Sequence, residues 1–264
     1  MAEARVVGQS AAGGRRPRID PVHGIRIVTV LLILVGWELL ARSGMLFRDV
    51  VPSLVSIGGA IGVLLADADY YRHLGWTAFE ILVALAIGGA AGLVAGLILG
   101  GSRLLGRAFE PYLYYLGPTP KIIFFPIMIM WFGVGPASKI ALGTISCFFP
   151  IALSTAAGMR MMDPVLVRVG RSFRARRRQM VTKIYLPALR QPIMNGVRLG
   201  FGIAVIGTLL AETKLSNRGI GFLIINSYTT FDMPRMYALL ILLFVLAIGA
   251  NALVGRLAGG DHPR

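Results

Sequence analysis

Residues 76–100 read WTAFEILVALAIGGAAGLVAGLILG. One charge, Glu80, interrupts 25 otherwise uncharged residues. At ~1.5 Å per residue such a helix reaches ~37 Å, enough for the ~30 Å hydrocarbon core of a bilayer. Gly88, Gly92, Gly96 and Gly100 recur every four residues. That spacing puts hydrogen atoms along one helix face, so a second helix can approach closely. The face is read either as plain bundle packing or as a surface that slides during transport.

The whole chain agrees with this segment. Of its 264 residues 56% are hydrophobic and 15% charged. Soluble domains average about 25% charged residues. There is too little polar side chain to coat a water-soluble core, and too much apolar side chain for disorder. One cysteine, Cys147, excludes a disulfide framework. No period of alternating residues suggests barrel strands. Lipid leaves helices as the remaining way to satisfy the backbone, so the expected fold is all-α, a polytopic bundle of about six transmembrane helices.

The spans are expected near 27–41, 76–100, 114–133, 138–158, 193–211 and 236–253. Residues 1–24 read as a disordered basic tail and 258–264 as a short one, flanking a membrane domain over 25–257. Between the first two spans, Leu54, Ile57, Ile61, Leu64 and Leu65 mark an amphipathic helix. Pro118, Pro120 and Pro126 interrupt the third span. Each removes a backbone donor, which is tolerated where the backbone is buried in protein or lines a watery cavity. The third span is therefore either pathway-lining, with Pro120, Pro126 and Trp131 on the route, or a re-entrant start to an ordinary helix.

The charge of +15 comes from 27 Lys and Arg against 12 Asp and Glu. With the N-terminus inside, 18 basic residues fall in cytoplasmic segments and seven outside. The bias predicts both termini in the cytoplasm, and it accounts for the basicity without a nucleic-acid partner. Lys121, Glu80, Arg198 and Glu212 fall in or beside spans. Each would cost roughly 2.5–3.5 kcal/mol at the centre of a helix. Arg198 and Glu212 lie ~21 Å apart along one helix and cannot pair directly. Both are read as residues at the membrane boundary, and as candidates to line the pathway.

The segment between spans four and five carries nine basic residues over 159–192. Asp163-Pro164 marks a helix start, an acidic N-cap followed by proline. Val165, Leu166, Val169 and Phe173 then form one apolar stripe. Arg174, Arg176, Arg177 and Arg178 follow, then Ile184-Tyr185-Leu186-Pro187.

Here the chain resembles the permease subunits of bacterial ABC importers. Their cytoplasmic loop has the pattern Glu-Ala-Ala, three residues, Gly, nine residues, Ile-x-Leu-Pro. Ile184, Leu186 and Pro187 fit the second half letter for letter. Arg174 stands at the Gly position, and Arg168-Val169-Gly170 at Glu-Ala-Ala. The resemblance runs from about Trp37 to Arg256 and is closest to the nitrate, sulfonate and taurine permeases. It is carried further by Pro118-Thr119-Pro120, Trp131-Phe132-Gly133-Val134-Gly135, Phe148-Phe149-Pro150-Ile151, Gly196-Val197-Arg198-Leu199-Gly200, Ala211-Glu212 and Gly219-Ile220-Gly221-Phe222.

The resemblance implies a non-catalytic permease of the bacterial inner membrane, with a coupling helix between spans four and five. It implies a cytoplasmic ATP-binding subunit that docks on that loop, a second permease copy in a homodimer or heterodimer, and an external solute-binding protein. ATP would be bound by the partner and no cofactor by this chain. The transported solute would be a small organic or inorganic anion such as a sulfonate or nitrate. Arg168 and Arg174 depart from the pattern. Three readings stay open: a more acidic ATPase groove, pairing with a second and more typical permease, or a degenerate paralogue. In all of them the loop arginines can also rest on anionic lipid headgroups.

Other classes fit the residues less well. There is no Gly-x-x-x-x-Gly-Lys-Ser/Thr loop, no metal-ligand spacing around His23, His73 or His262, and no catalytic triad. The alternative is an ion-coupled secondary transporter or channel, which needs acidic residues mid-span; the acids here sit near span ends.

Overall fold

The computed structural model describes residues 21–44 and 50–258, and all regular structure among them is helical. The expected tails lie outside the described residues, except where α1 begins at Pro21 and the last helix runs to Ala258. Five helices are long and apolar enough to cross a membrane, and a sixth span arises if one pair bent by 92° counts as a broken span.

The chain divides into two compact units at Leu54. The first holds α1 (Pro21–Arg42). Glu38, a charge within this helix, has a local use. Its Oε2 accepts from the N–H of Leu54 at 2.9 Å, at the start of α2 (Leu54–Ala66), and its Oε1 accepts from Arg42 Nε at 2.7 Å. A carboxylate at a helix N-terminus meets donors that have no partner within the helix. Trp37 Nε1 donates to the carbonyl of Pro52 at 3.1 Å and secures the same turn.

In the second unit α3 (Ala68–Gly101) starts two turns before the expected Trp76. Asp67 caps it by accepting from the N–H of Asp69 at 2.9 Å. The glycine face of α3 meets α6 (Pro136–Met161). A Cβ on Gly92 would lie 2.8 Å from the carbonyl oxygen of Phe148; one on Gly96, 2.5 Å from Thr155 Cβ; one on Gly100, 2.5 Å from Met159 Cβ. No side chain fits in such gaps. Cys147 lies in the same contact, with its Sγ 3.4 Å from the carbonyl oxygen of Ala84. The opposite side of α6 receives α10 (Arg190–Lys214) in the same manner. A Cβ on Gly200 would stand 2.8 Å from Ile151, and one on Gly207 2.7 Å from Ser146 Oγ. The α3–α6–α10 layer is the centre of the unit.

The third span differs from expectation. The residues between the second and third expected spans open α4 (Arg103–Leu116), which Ser102 caps by accepting from the N–H of Leu105. Helix α4 is amphipathic, with Pro111 inside it. The chain then breaks at Gly117–Pro120 and continues as a 3-10 turn (Lys121–Phe124) and α5 (Phe125–Phe132). Pro118 and Pro120 stand at the break as expected and Pro126 in the first turn of α5, but the helical segment begins at Arg103 rather than near Tyr114, because α4 carries charges among its aromatic residues.

The remainder comprises α7 (Pro164–Ser172), α8 (Arg177–Gln179), a π-helical turn (Met180–Tyr185), α9 (Leu186–Ala188), α11 (Ile220–Thr229) and α12 (Met233–Ala258). The expected loop at 213–235 thus contains α11. It packs Ile220 and Leu223 against Ile57 and Leu64 of α2, Tyr70 of α3 and Leu239 of α12.

Gly96→Leu should lower stability by about 1–3 kcal/mol or more through overpacking. Gly202, with nothing within 4 Å of a built Cβ, should accept alanine with no loss. Thermal midpoints of the purified complex check both; equal effects would contradict the packing described.

Candidate functional site

Two constellations stand out: the basic loop over 163–187 and a buried polar cluster where α3, α6, α10 and α11 meet.

The loop is built from its ends. Asp163 Oδ1 accepts from the N–H of Val165 at 2.8 Å, and Pro164 occupies the first helical position of α7. This is the start that the sequence indicated. The other end explains the family's glycine. Arg174 has φ of 50°, in the left-handed region. Its N–H donates to the carbonyl of Arg171 at 2.9 Å, and that of Ala175 to Gly170 at 3.0 Å. These two bonds make a Schellman cap, whose left-handed residue is usually glycine. A residue with a Cβ costs roughly 1–2 kcal/mol there. Arg174 therefore adopts the backbone that the pattern's glycine would take freely.

Gly170, the last residue aligned with Glu-Ala-Ala, is the one buried residue of α7. A Cβ there would meet Ile184 and lie 2.5 Å from Met180 Sδ. The first letter of Ile-x-Leu-Pro thus packs on Gly170, and α7 is stapled to the π-helical turn. Arg176 and Gln179 close the hairpin, the Gln179 Oε1 accepting from the Arg176 N–H at 2.8 Å. The stripe faces the other way: Val165, Leu166 and Val169 are nearly half exposed, and Phe173 is 83% exposed. Arg168 and Arg174 are exposed beside it.

The second constellation adds what the sequence reading did not contain. Glu212 is fully buried among the helices, and so is Glu80. Thr77 donates its hydroxyl hydrogen to Glu212 Oε1 at 2.7 Å and accepts from the Ile220 N–H at 2.8 Å. The Gly221 N–H donates to Glu212 Oε2 at 2.7 Å, and the Gly219 N–H to His73 Nδ1 at 3.0 Å. The carboxyl of Glu80 adjoins that of Glu212. Lys139, counted as outside, is also buried; its Nζ donates to the carbonyls of Val134 at 2.7 Å and Gly135 at 3.1 Å. What the sequence hid was α11, which folds over these groups and seals them from the interface. A signal was present in the spacing of His73, Thr77 and Glu80 along one face of α3.

The remaining candidates are dispersed. Pro120, Pro126 and Trp131 are exposed. Glu212 is buried, whereas Arg198 borders an open cavity of about 730 Å³ together with Asn195 and Asn251. Gly219 has φ of 94° and its Cα lies against the Glu212 carboxyl, so only glycine fits this turn.

A membrane bundle that keeps its charges sealed inside and holds one amphipathic helix out on a stapled loop is built to be worked by another protein. It is the membrane subunit of a transporter. The pattern of the family described as "Binding-protein-dependent transport system inner membrane component" matches residues 88–259, and the chain belongs to that family. It is a permease subunit of an ABC importer of the inner membrane, a class that works with an ATP-binding subunit and a solute-binding protein. The chain is 31% identical over 226 residues to SsuC of Escherichia coli, named for aliphatic sulfonate transport; the match covers 86% of this chain and 83% of that one. It is 28% identical to the taurine transport system permease protein TauC of the same organism, covering 88% of each chain. It is also 28% identical to the formylaminopyrimidine transport permease protein ThiX of Halalkalibacterium halodurans, covering 86% of this chain and 90% of that one. Among solved structures, the inward-facing MetNI methionine ABC transporter shares the fold with a TM-score of 0.57 and 20% identity, covering 68% of this chain and 92% of the matching one.

Arg174→Gly should stabilise the complex by about 1 kcal/mol, while Arg174→Ala, which keeps a Cβ, should not. Thr77→Val should cost about 1–3 kcal/mol, because it strands a buried carboxyl oxygen and a buried N–H. Chemical or thermal unfolding of the purified transporter reads both; a stabilising Thr77→Val would rule out the clamp.

Proposed function

We propose that this chain is a non-catalytic half of the translocation pathway, driven by ATP that a separate cytoplasmic subunit binds and hydrolyses. That subunit grips α7. The supporting observation is the exposed stripe of Val165, Leu166, Val169 and Phe173 on a helix whose back is pinned through Gly170. Amphipathic helices seat such a stripe in a groove on a partner, while the flanking charges fix register. Asp163, Pro164, Arg168, Arg174, Ile184, Leu186 and Pro187 shape and orient this element. The arginines call for an acidic groove rim, and they can also rest on anionic headgroups of the surrounding lipid.

Both termini are proposed to lie in the cytoplasm, with residues 25–257 as the translocating domain and a second permease copy completing the pathway. Pro120, Pro126, Trp131 and Arg198 are candidates to line it, since all four are exposed in a single copy. The Gly88, Gly92, Gly96 and Gly100 face serves as packing within the copy. The cargo proposed is a small sulfonate such as taurine, on the strength of the relatives named for sulfonates and taurine. An external binding protein would deliver it.

Val169→Asp with Phe173→Asp should abolish co-purification of the ATP-binding subunit and reduce ATP-driven taurine uptake into proteoliposomes at least ~30-fold, the effect of losing one hot-spot contact. Uptake that persists without ATP would refute the reading and favour an ion-coupled carrier. A cysteine placed at Ser172 should be reached by membrane-impermeant label only after cells are opened.

A further inference from the structure

Helix α4 presents one face of Phe109, Tyr112 and Tyr115, all more than half exposed. Exposed tyrosines on an amphipathic helix are the mark of a segment lying at the level of lipid headgroups. Its other face turns inward. A Cβ on Gly106 would sit 2.9 Å from the carbonyl oxygen of Leu99, so α4 folds back on the last turn of α3. Glu110, 5% exposed, reaches across to pair with Arg160 near the end of α6. One of its oxygens, Oε1, is buried with no hydrogen-bond partner.

In the elbow between α3 and α4 lies a cavity of about 640 Å³, lined by Ser102, Arg103, Arg107, Glu110, Tyr114 and Arg160 among others. Three arginines against one carboxylate leave the lining net positive. The N-terminus of α4 opens into it and adds partial positive charge. Leu99 and Pro111 give it apolar walls.

We propose that this elbow is a binding site for the phosphate headgroup of an anionic glycerophospholipid. The guanidinium groups of Arg103 and Arg107 hold the phosphate, a geometry that arginine suits better than any other side chain. Glu110 stays paired with Arg160 beside them. Basic pockets beside membrane helices take such headgroups. The cavity is far larger than a free phosphate ion, and Leu99, Pro111 and Tyr114 in its lining suit a lipid rather than the ion alone. Arg160 precedes Pro164 by one helical turn, so the lipid sits at the root of α7. This assignment is independent of which solute is carried.

The test uses the assembled transporter, purified in mild detergent and stripped of lipid, with adducts counted by native mass spectrometry. Added phosphatidylglycerol should be retained, and phosphatidylethanolamine much less. The Arg103→Gln/Arg107→Gln double variant should weaken phosphatidylglycerol binding about thirtyfold, the loss of two headgroup contacts. Arg256→Gln, outside the cavity, should leave it unchanged. If the double variant fails to assemble with the ATP-binding subunit, Arg107→Gln alone should show a loss of about fivefold. Equal retention by wild type and variants, equal binding of the two lipids, or displacement of lipid by inorganic phosphate at millimolar concentration would each overturn the proposal.

Discussion

Inside a bilayer an apolar side chain gains nothing by leaving lipid for another apolar helix, so contact between spans must come from close fit. The α3–α6 seam supplies that fit. Four glycines of α3 let the backbone of α6 approach until carbonyl oxygens and Cβ atoms fill the space that side chains would have taken. Gly196, Gly200 and Gly207 of α10 repeat the device on the far side of α6. The central helix is thus held between two smooth faces. The peripheral elements, α4, α5 and α11, dock onto a layer that is already fixed.

Within that layer the acids play a part different from the one their positions suggest. Glu212 is a tether. Its two oxygens take a hydroxyl from α3 and a backbone N–H from the start of α11, which closes a turn only Gly219 can make. A buried carboxylate with such partners sets one arrangement of three helices and penalises others, since any shift leaves a charge or a donor unsatisfied. The argument against an ion-coupled carrier, that the acids sit near span ends, therefore loses its force. Family membership decides the question instead.

What could be read from the chain follows from where its signals are local. The glycine period, the Asp163-Pro164 start and the proline break are each written within a few residues, and each stands where expected. The joint burial of Glu80, Lys139 and Glu212 was not legible, because it is made by packing between distant helices and, for Glu212, by α11, an element 10 residues long inside a stretch of mixed polarity. Helix α4 was missed because its pattern is amphipathic, with charges among its aromatic residues, rather than uniformly apolar. Ile184, Leu186 and Pro187 announced the family. The substituted half of the loop pattern became intelligible only with the backbone in view: the glycine of the pattern is a helix cap, and Arg174 adopts its conformation with a Cβ in the way.

The length of α3 has a mechanical meaning. Its 34 residues extend about 51 Å, well beyond the hydrocarbon thickness. One end is knotted to Glu212 through Thr77, and the other abuts Met159, a few residues before α7 begins. A stiff rod seated along α6 for most of its length does not bend to absorb a push. Displacing one end of such a rod carries the other end with it, so the two ends of α3 move as one piece.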